Sequence, residues 1–409
     1  MSNINNIFVV SLIFVLLSCS ALHKRLGGDF AGDPEQMYEN IGPFTKKLIE
    51  DAFQDIDSEM LTDFHVHIIG LGEGNTGIYV NPKMQSLWHP IKYLKFMVYK
   101  SASGINDLGP ADSQYIERLI SLIENTPNHG LYMVLAFDKF YHPDGSEDLE
   151  QTEFYVPNEY VYRISKENPT LFVPIISVHP YRKDALMELE RWAKRGVRFV
   201  KWLPNAMGIN PADDKIAPFY RKLKELDMIL LTHTGEEQAV EAEQLQRYGN
   251  PLLYRKALDM GVKVIMAHGA SLGSNPDLDT SSNENVSNFD LFIRMMEEEK
   301  YVGLLFGEIS ALTQFNRFDG PLQTLLEKKH LHHRLINGSD YPLPAVNFII
   351  RTRELMAAGF ITEEERESLN QIYQYNPLLF DFVLKRTLRH PTLKVKFPAA
   401  MFMNPFARF

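Results

Sequence analysis

The sequence predicts a single α/β domain, a (β/α)8 barrel of the TIM type with long βα loops. Three observations carry that prediction. Eight short apolar runs recur along the chain, at 61–67, 131–137, 171–178, 197–203, 228–233, 262–268, 302–309 and 335–340. Amphipathic stretches with helical spacing separate them, as at 185–195, 217–226, 251–260 and 289–299. The runs are also nearly continuous in apolar character, which suits parallel strands buried on both faces. Eight such units favour a closed barrel over an open doubly wound sheet. An open sheet would need a dinucleotide-type glycine fingerprint after the first strand. Gly70-Leu71-Gly72-Glu73-Gly74 does not provide one, because no helical pattern follows it.

Composition is compatible with that fold. A chain of 409 residues that is 45% hydrophobic can bury a substantial core. Its net charge of -10, without any aromatic-interleaved basic patch, argues against nucleic acid as a partner. A small-molecule substrate is expected instead, and a homo-oligomer is compatible with the pattern.

The elements follow in order. Residues 7–17 form an apolar run too short to span a bilayer comfortably but matching a signal-peptide core. Leu16-Leu17-Ser18-Cys19 then resembles a bacterial lipobox, and Cys19 is the only cysteine, so it has no internal disulfide partner. Residues 1–19 are therefore expected to be a signal peptide with lipidation at Cys19. The product would be an exported lipoprotein tethered to the membrane at the periplasmic or cell surface. The match departs from the lipobox pattern in two ways: no Lys or Arg precedes the apolar run, and Leu17 is bulky for its place. A polar linker (20–43) leads to a helix at 44–53, and residues 44–390 comprise the barrel. The apolar, aromatic tail at 391–409 wraps the barrel, covers a subunit interface or lies near the membrane.

Two connections are long. Residues 71–109 follow the first strand and contain Tyr79, Trp88, His89, Tyr93, Phe96 and Tyr99; residues 269–288 follow the sixth and are polar. Loops of this length in a compact domain tend to be lids or binding loops, and in a barrel they lie on the catalytic face. The aromatic set either contacts substrate or forms a satellite core.

The strand ends carry the chemistry. The first run ends Asp63-Phe64-His65-Val66-His67, the fourth includes Lys201, the fifth ends at His233, the sixth at His268 and the eighth at Asp340. Alternation along the first strand would put His65 and His67 on one face and Phe64 and Val66 on the other. Asp63 would share the face of His65, one step deeper, where it could orient an imidazole. Four histidines and an aspartate converging on one cavity are the ligand set of a borderline divalent cation, zinc first among the candidates. Weaker candidates are His179 after the third strand, Glu236 and Glu237 after the fifth, and Glu308 ending the seventh. Arg182 and Arg317 follow the third and seventh strands, while His330, His332 and His333 precede the eighth and read as solvated surface.

These ordered residues resemble the amidohydrolase superfamily, in its amidohydrolase-related branch of TIM-barrel metal-dependent hydrolases. The resemblance runs from about residue 61 to the Tyr375-Asn376-Pro377-Leu378 segment. It implies that His65, His67, His233 and Asp340 hold a metal, with His268 beside the water and substrate. Asp340 would then be the general base of a hydrolysis at a C–N or C–O bond. Lys201 matches the strand-four lysine that is carbamylated in binuclear members; otherwise it is an unmodified amine paired with a carboxylate such as Glu308. One ion is favoured over two. The branch also includes decarboxylases of the aminocarboxymuconate-semialdehyde type, a reading that cavity arginines would favour. A non-catalytic surface lipoprotein is the third reading, disfavoured because a binding module has no need of a base such as Asp340.

Overall fold

β1 (Thr62–His67) begins a series of parallel strands whose C-terminal ends open on one cavity. The computed structural model describes residues 32–406 together with Gly27; the proposed signal peptide and Cys19 lie outside the described residues. The further strands are β2 (Leu131–Leu135), β3 (Phe172–Ile175), β4 (Phe199–Trp202), β5 (Ile229–His233), β6 (Val264–Ala267), β7 (Leu305–Glu308) and β8 (Leu335–Ile336). Two ladders contain them, β1-β2-β3 and β4-β5-β6-β7-β8. Parallel bridges Ile176–Val200 and Val66–Tyr341 join the ladders at both seams, so the strands form a (β/α)8 barrel. All the runs expected to be strands are strands, shorter than drawn. β8 stops at Ile336 because the chain turns out of extended geometry before Asp340, whose φ is +60°.

Helices lie where the periodicity puts them, including Pro43–Ala52, Ala185–Lys194, Ala217–Glu225 and Asn288–Met296. Their apolar faces cover the outer sides of the strands, with Leu189, Leu223 and Phe292 packed against the same core as Val200, Leu230 and Val264. A second core fills the barrel interior: Phe64, Met133, Leu135, Ile175, Phe199, Leu231, Ile265 and Phe306 are all buried there. Among the described residues no helix is long and apolar enough to cross a membrane. Turns at Pro34–Gln36 and Met37–Asn40 occupy the stretch read as a linker, and Met37 and Ile41 are buried in the outer core.

β1 departs from simple alternation. Asp63 pairs with Tyr132 and Val66 with Val134, so Phe64 and His65 together oppose the single residue Met133. This bulge lets both residues face inward, Phe64 into the interior core and His65 into the cavity. Asp63 is thereby turned away from His65, to the outer layer beside Tyr132 and Asp381. Its Oδ1 accepts from the backbone N–H of His65 (3.0 Å) and of Ser339 (2.9 Å), so it ties β1 to the segment after β8 and orients no imidazole.

The tail wraps the barrel. Met403 bridges Leu61, and the Asn337 N–H donates to the Met401 carbonyl at 2.8 Å. Phe406 then sits edge-on to Phe64, Phe199 and Phe306, at the barrel end opposite the cavity. His332 is buried at that end rather than solvated: its Nε2 meets the Leu325 carbonyl at 2.8 Å and its ring lies edge-on to Phe397. His330 is exposed and pairs with Glu297.

The two long loops behave differently. Residues 71–109 fold over the cavity and include the helix Pro90–Ala102, which lends it Phe96, Tyr99 and Lys100. Trp88 is 92% exposed and serves neither the cavity nor the core. The loop 269–288 does not line the cavity; it closes on itself as a hairpin, Ser274–Pro276 against Asn285–Ser287.

Candidate metal centre

Six side chains from the ends of five strands meet at the cavity floor. His65 and His67 arrive from β1, and their Nε2 atoms are 3.2 Å apart. Asp340 Oδ1 lies 3.4 Å from His65 Nε2 and 3.1 Å from His67 Nε2. Lys201 Nζ, from β4, is 3.1 Å from the same His65 nitrogen. The rings of His233 and His268, from the ends of β5 and β6, are 5.1 Å apart, and the His268 ring stacks on His65 at 5.2 Å.

Three of the buried imidazoles direct Nδ1 away from the centre. His65 Nδ1 meets Glu308 Oε2 at 2.9 Å, and His233 Nδ1 lies 3.2 Å from Glu237 Oε2. His268 Nδ1 meets Ser310 Oγ at 2.7 Å, and that hydroxyl in turn donates to Glu308 Oε2 at 2.7 Å. These acceptors place the proton on Nδ1 of each ring and leave the Nε2 lone pair facing inward. Glu308 therefore sets two histidines, one directly and one through Ser310. Glu237 is itself held, its Oε1 accepting from the backbone N–H of Ala239 and Val240.

The electrostatics agree with neutral imidazoles. Burial pushes His233 down to about 3, helped by the positive charges of Lys201 and Arg317. Burial also carries His65 and His268 well below the ordinary imidazole range, with Lys201 and the neighbouring histidine rings adding to it. Burial pulls Lys201 down to about 8 against the opposing pull of Asp340, Glu308 and Glu237. It raises Glu308 to about 7, with the Ser310 hydrogen bonds and Lys385 opposing.

This donor set fits a divalent cation. His65, His67 and Asp340 each offer an atom to one point, and His233 Nε2 is buried with no hydrogen-bond partner. A buried ring nitrogen without a partner is costly unless something not of the protein satisfies it. Imidazole nitrogens with one carboxylate oxygen are zinc's ordinary ligands, and carboxylates behind the ligating rings are its usual support.

Backbone strain marks the same place. His268 (φ +59°) and Asp340 (φ +60°) both hold left-handed backbone, a conformation that costs a non-glycine residue on the order of 1–3 kcal/mol. The Asp340 N–H donates to the His65 carbonyl at 2.8 Å, which pins the aspartate to β1. Gly338 is needed beneath it: a Cβ there would come within 2.6 Å of Glu308 Oε1 and 2.7 Å of His65 Cβ.

Of the other residues singled out in the sequence, some lie outside the cavity and some meet partners other than those expected. His179 is fully buried away from the cavity, with Nε2 on the Met207 carbonyl and Nδ1 accepting from the Tyr181 N–H, so both ring nitrogens are occupied. Arg182 pairs with Asp138 and Asp184, and Arg317 is buried against Ser271; neither lines the cavity. Glu236 and Glu237 open no helix, because the chain after β5 is a loop up to the turn at Glu243–Gly249. Lys201 meets His65 rather than Glu308, as Glu308 is taken up by His65 and Ser310. Ser310 and Gly338 were not singled out by sequence reasoning; their only sequence signal is position, two residues after Glu308 and two before Asp340.

A family model described as Amidohydrolase matches residues 63–378, and the chain belongs to that family. No curated protein matches it at the sequence level. Among solved structures it is similar to an uncharacterised TIM-barrel protein from Bordetella bronchiseptica, at 14% identity and a TM-score of 0.45, covering 75% of this chain and 94% of that one. It is also similar to 5-carboxyvanillate decarboxylase from Sphingomonas paucimobilis, at 11% identity and a TM-score of 0.42, covering 76% and 96%. A third is 4-oxalomesaconate hydratase from Rhodopseudomonas palustris, at 15% identity and a TM-score of 0.40, covering 75% and 92%.

Proposed function

We propose that this protein is a metal-dependent hydrolase that cleaves a C–N or C–O bond of a small molecule. The observation that carries the reading is the convergence of His65 Nε2, His67 Nε2 and Asp340 Oδ1 within 3.4 Å of one another on the floor of an open cavity. These three, with the unpartnered Nε2 of His233, would hold the ion. When bound, a divalent ion such as zinc supplies a Lewis acid and brings the pKa of coordinated water towards ~7. One ion is the favoured count, with Lys201 an unmodified amine; carbamylation of its Nζ, which burial brings down to about 8, is the route to two.

Asp340 takes the proton of the attacking water and returns it to the leaving nitrogen or oxygen. His268, its lone pair turned to the cavity by Ser310, would stand beside the substrate carbonyl. Decarboxylation is the weaker reading, because Arg182 is paired with Asp138 and Asp184 and neither it nor Arg317 lines the cavity. Asp340→Asn in metal-replete protein is expected to lower kcat by about 10²–10⁴-fold. Unchanged turnover in that variant would remove Asp340 from the role. We further propose that the chain is an exported lipoprotein modified at Cys19. Metabolic labelling with a radioactive fatty acid should mark the wild type and not Cys19→Ser; label that persists in the variant refutes the anchor.

A further inference from the structure

The cavity has a polar floor and apolar walls. Above the ligand-bearing residues it is bounded by Val80, Met84, Phe96, Phe137, Phe154 and Leu203, which come from the first long loop and from the chain following β2 and β4. Apart from the floor residues and Glu237, which holds His233, the polar side chains on the wall are Tyr99, Lys100 and Glu153. Two of these three are already engaged: Tyr99 Oη donates to the Ala239 carbonyl at 2.8 Å, and Glu153 Oε2 accepts from the Glu241 N–H. Among the described residues no arginine lines the space.

A substrate bearing carboxylates or phosphates far from its scissile bond would lose hydration here and find no guanidinium fork in exchange, only the point charge of the half-buried Lys100 ammonium. An apolar group gains by leaving water, at about 25 cal/mol per Å². We propose that the substrate is an uncharged amide, ester or lactone whose acyl or amine portion is largely hydrophobic. This rests on the hydrolase reading. In the reaction, water adds across the acyl C–N or C–O bond: its hydroxyl stays on the acyl carbon, a proton goes to the departing heteroatom, and no redox partner is needed.

Binding and turnover are measured separately on the full-length, metal-replete protein. The binding probes are 2-alkanones from butanone to decanone, which offer a carbonyl and no hydrolysable bond, against ω-keto carboxylates of matching length. Turnover uses aliphatic amides and esters of the same lengths. The expected result is a Kd that falls about fourfold per methylene until the cavity is filled, with kcat/KM rising in parallel and the charged series at least tenfold weaker. Phe154→Arg or Val80→Arg should reverse that preference; two positions on different segments guard against one variant failing to fold. Length-dependent ketone binding without any turnover sustains the apolar cavity and sinks the hydrolase reading. Turnover that is indifferent to chain length, or better with the charged series, overturns the proposal and leaves the hydrolase reading standing. Absence of ketone binding overturns it as well.

Discussion

At the scale of residues, the centre depends on where three ring protons are kept. His65, His233 and His268 each face an acceptor outside the centre through Nδ1, and the acceptors trace back to two carboxylates, Glu308 and Glu237. Glu308→Gln keeps the volume but replaces a strong acceptor with an amide that can present N–H to the imidazole. It is expected to weaken metal affinity by about 10–100-fold, read by competition with a chromophoric chelator. Affinity equal to the wild type would show that the ring orientation comes from packing alone. The convergence of the candidate ligands was legible in the sequence because each lies at or near the end of an apolar run, and only one end of a barrel gathers such residues. The carboxylate behind them was not legible: Glu308 could have faced Lys201, and Ser310 looks like any loop serine until the chain brings it to His268. Asp63 misled for a physical reason. A bulge adds one residue without disturbing the apolar pattern, so alternation counted from His65 assigns the wrong face.

At the scale of elements, the strands and helices followed from periodicity, while the ends and coverings did not. β8 leaves extended geometry before Asp340, and only the left-handed backbone there shows why. The two long loops have similar sequence signals, yet one covers the cavity and the other is a self-contained hairpin held by Arg294 on Asp277. The difference lies in where apolar side chains find partners. Phe96 and Tyr99 recur at helical spacing and turn to the cavity, whereas residues 277–285 carry little to bury. The tail could have served an interface or a membrane from its composition alone; packing assigns it to this barrel. Phe402 is fully buried against Phe382 and beneath Arg386, so Phe402→Ala should cost about 3–5 kcal/mol of stability, seen as a lowered midpoint in urea unfolding. A change below about 1 kcal/mol would mean the tail contributes little to the fold, since exposed substitutions usually stay within about 0.5 kcal/mol.

At the scale of the whole molecule, the barrel divides its labour between two ends. The N-terminal end is closed by Phe406 on Phe64, Phe199 and Phe306, a fully apolar plug that contributes to stability. The C-terminal end gathers buried histidines, an aspartate and a depressed lysine, an arrangement that costs stability unless a cation completes it. The direct test is metal analysis of the purified full-length protein alongside His67→Ala and Asp340→Ala. The account predicts about one equivalent of divalent metal per chain in the wild type, retained through gel filtration, and much less in both variants. Wild-type protein that stays metal-free after incubation with zinc, or variants that keep the full equivalent, would contradict it.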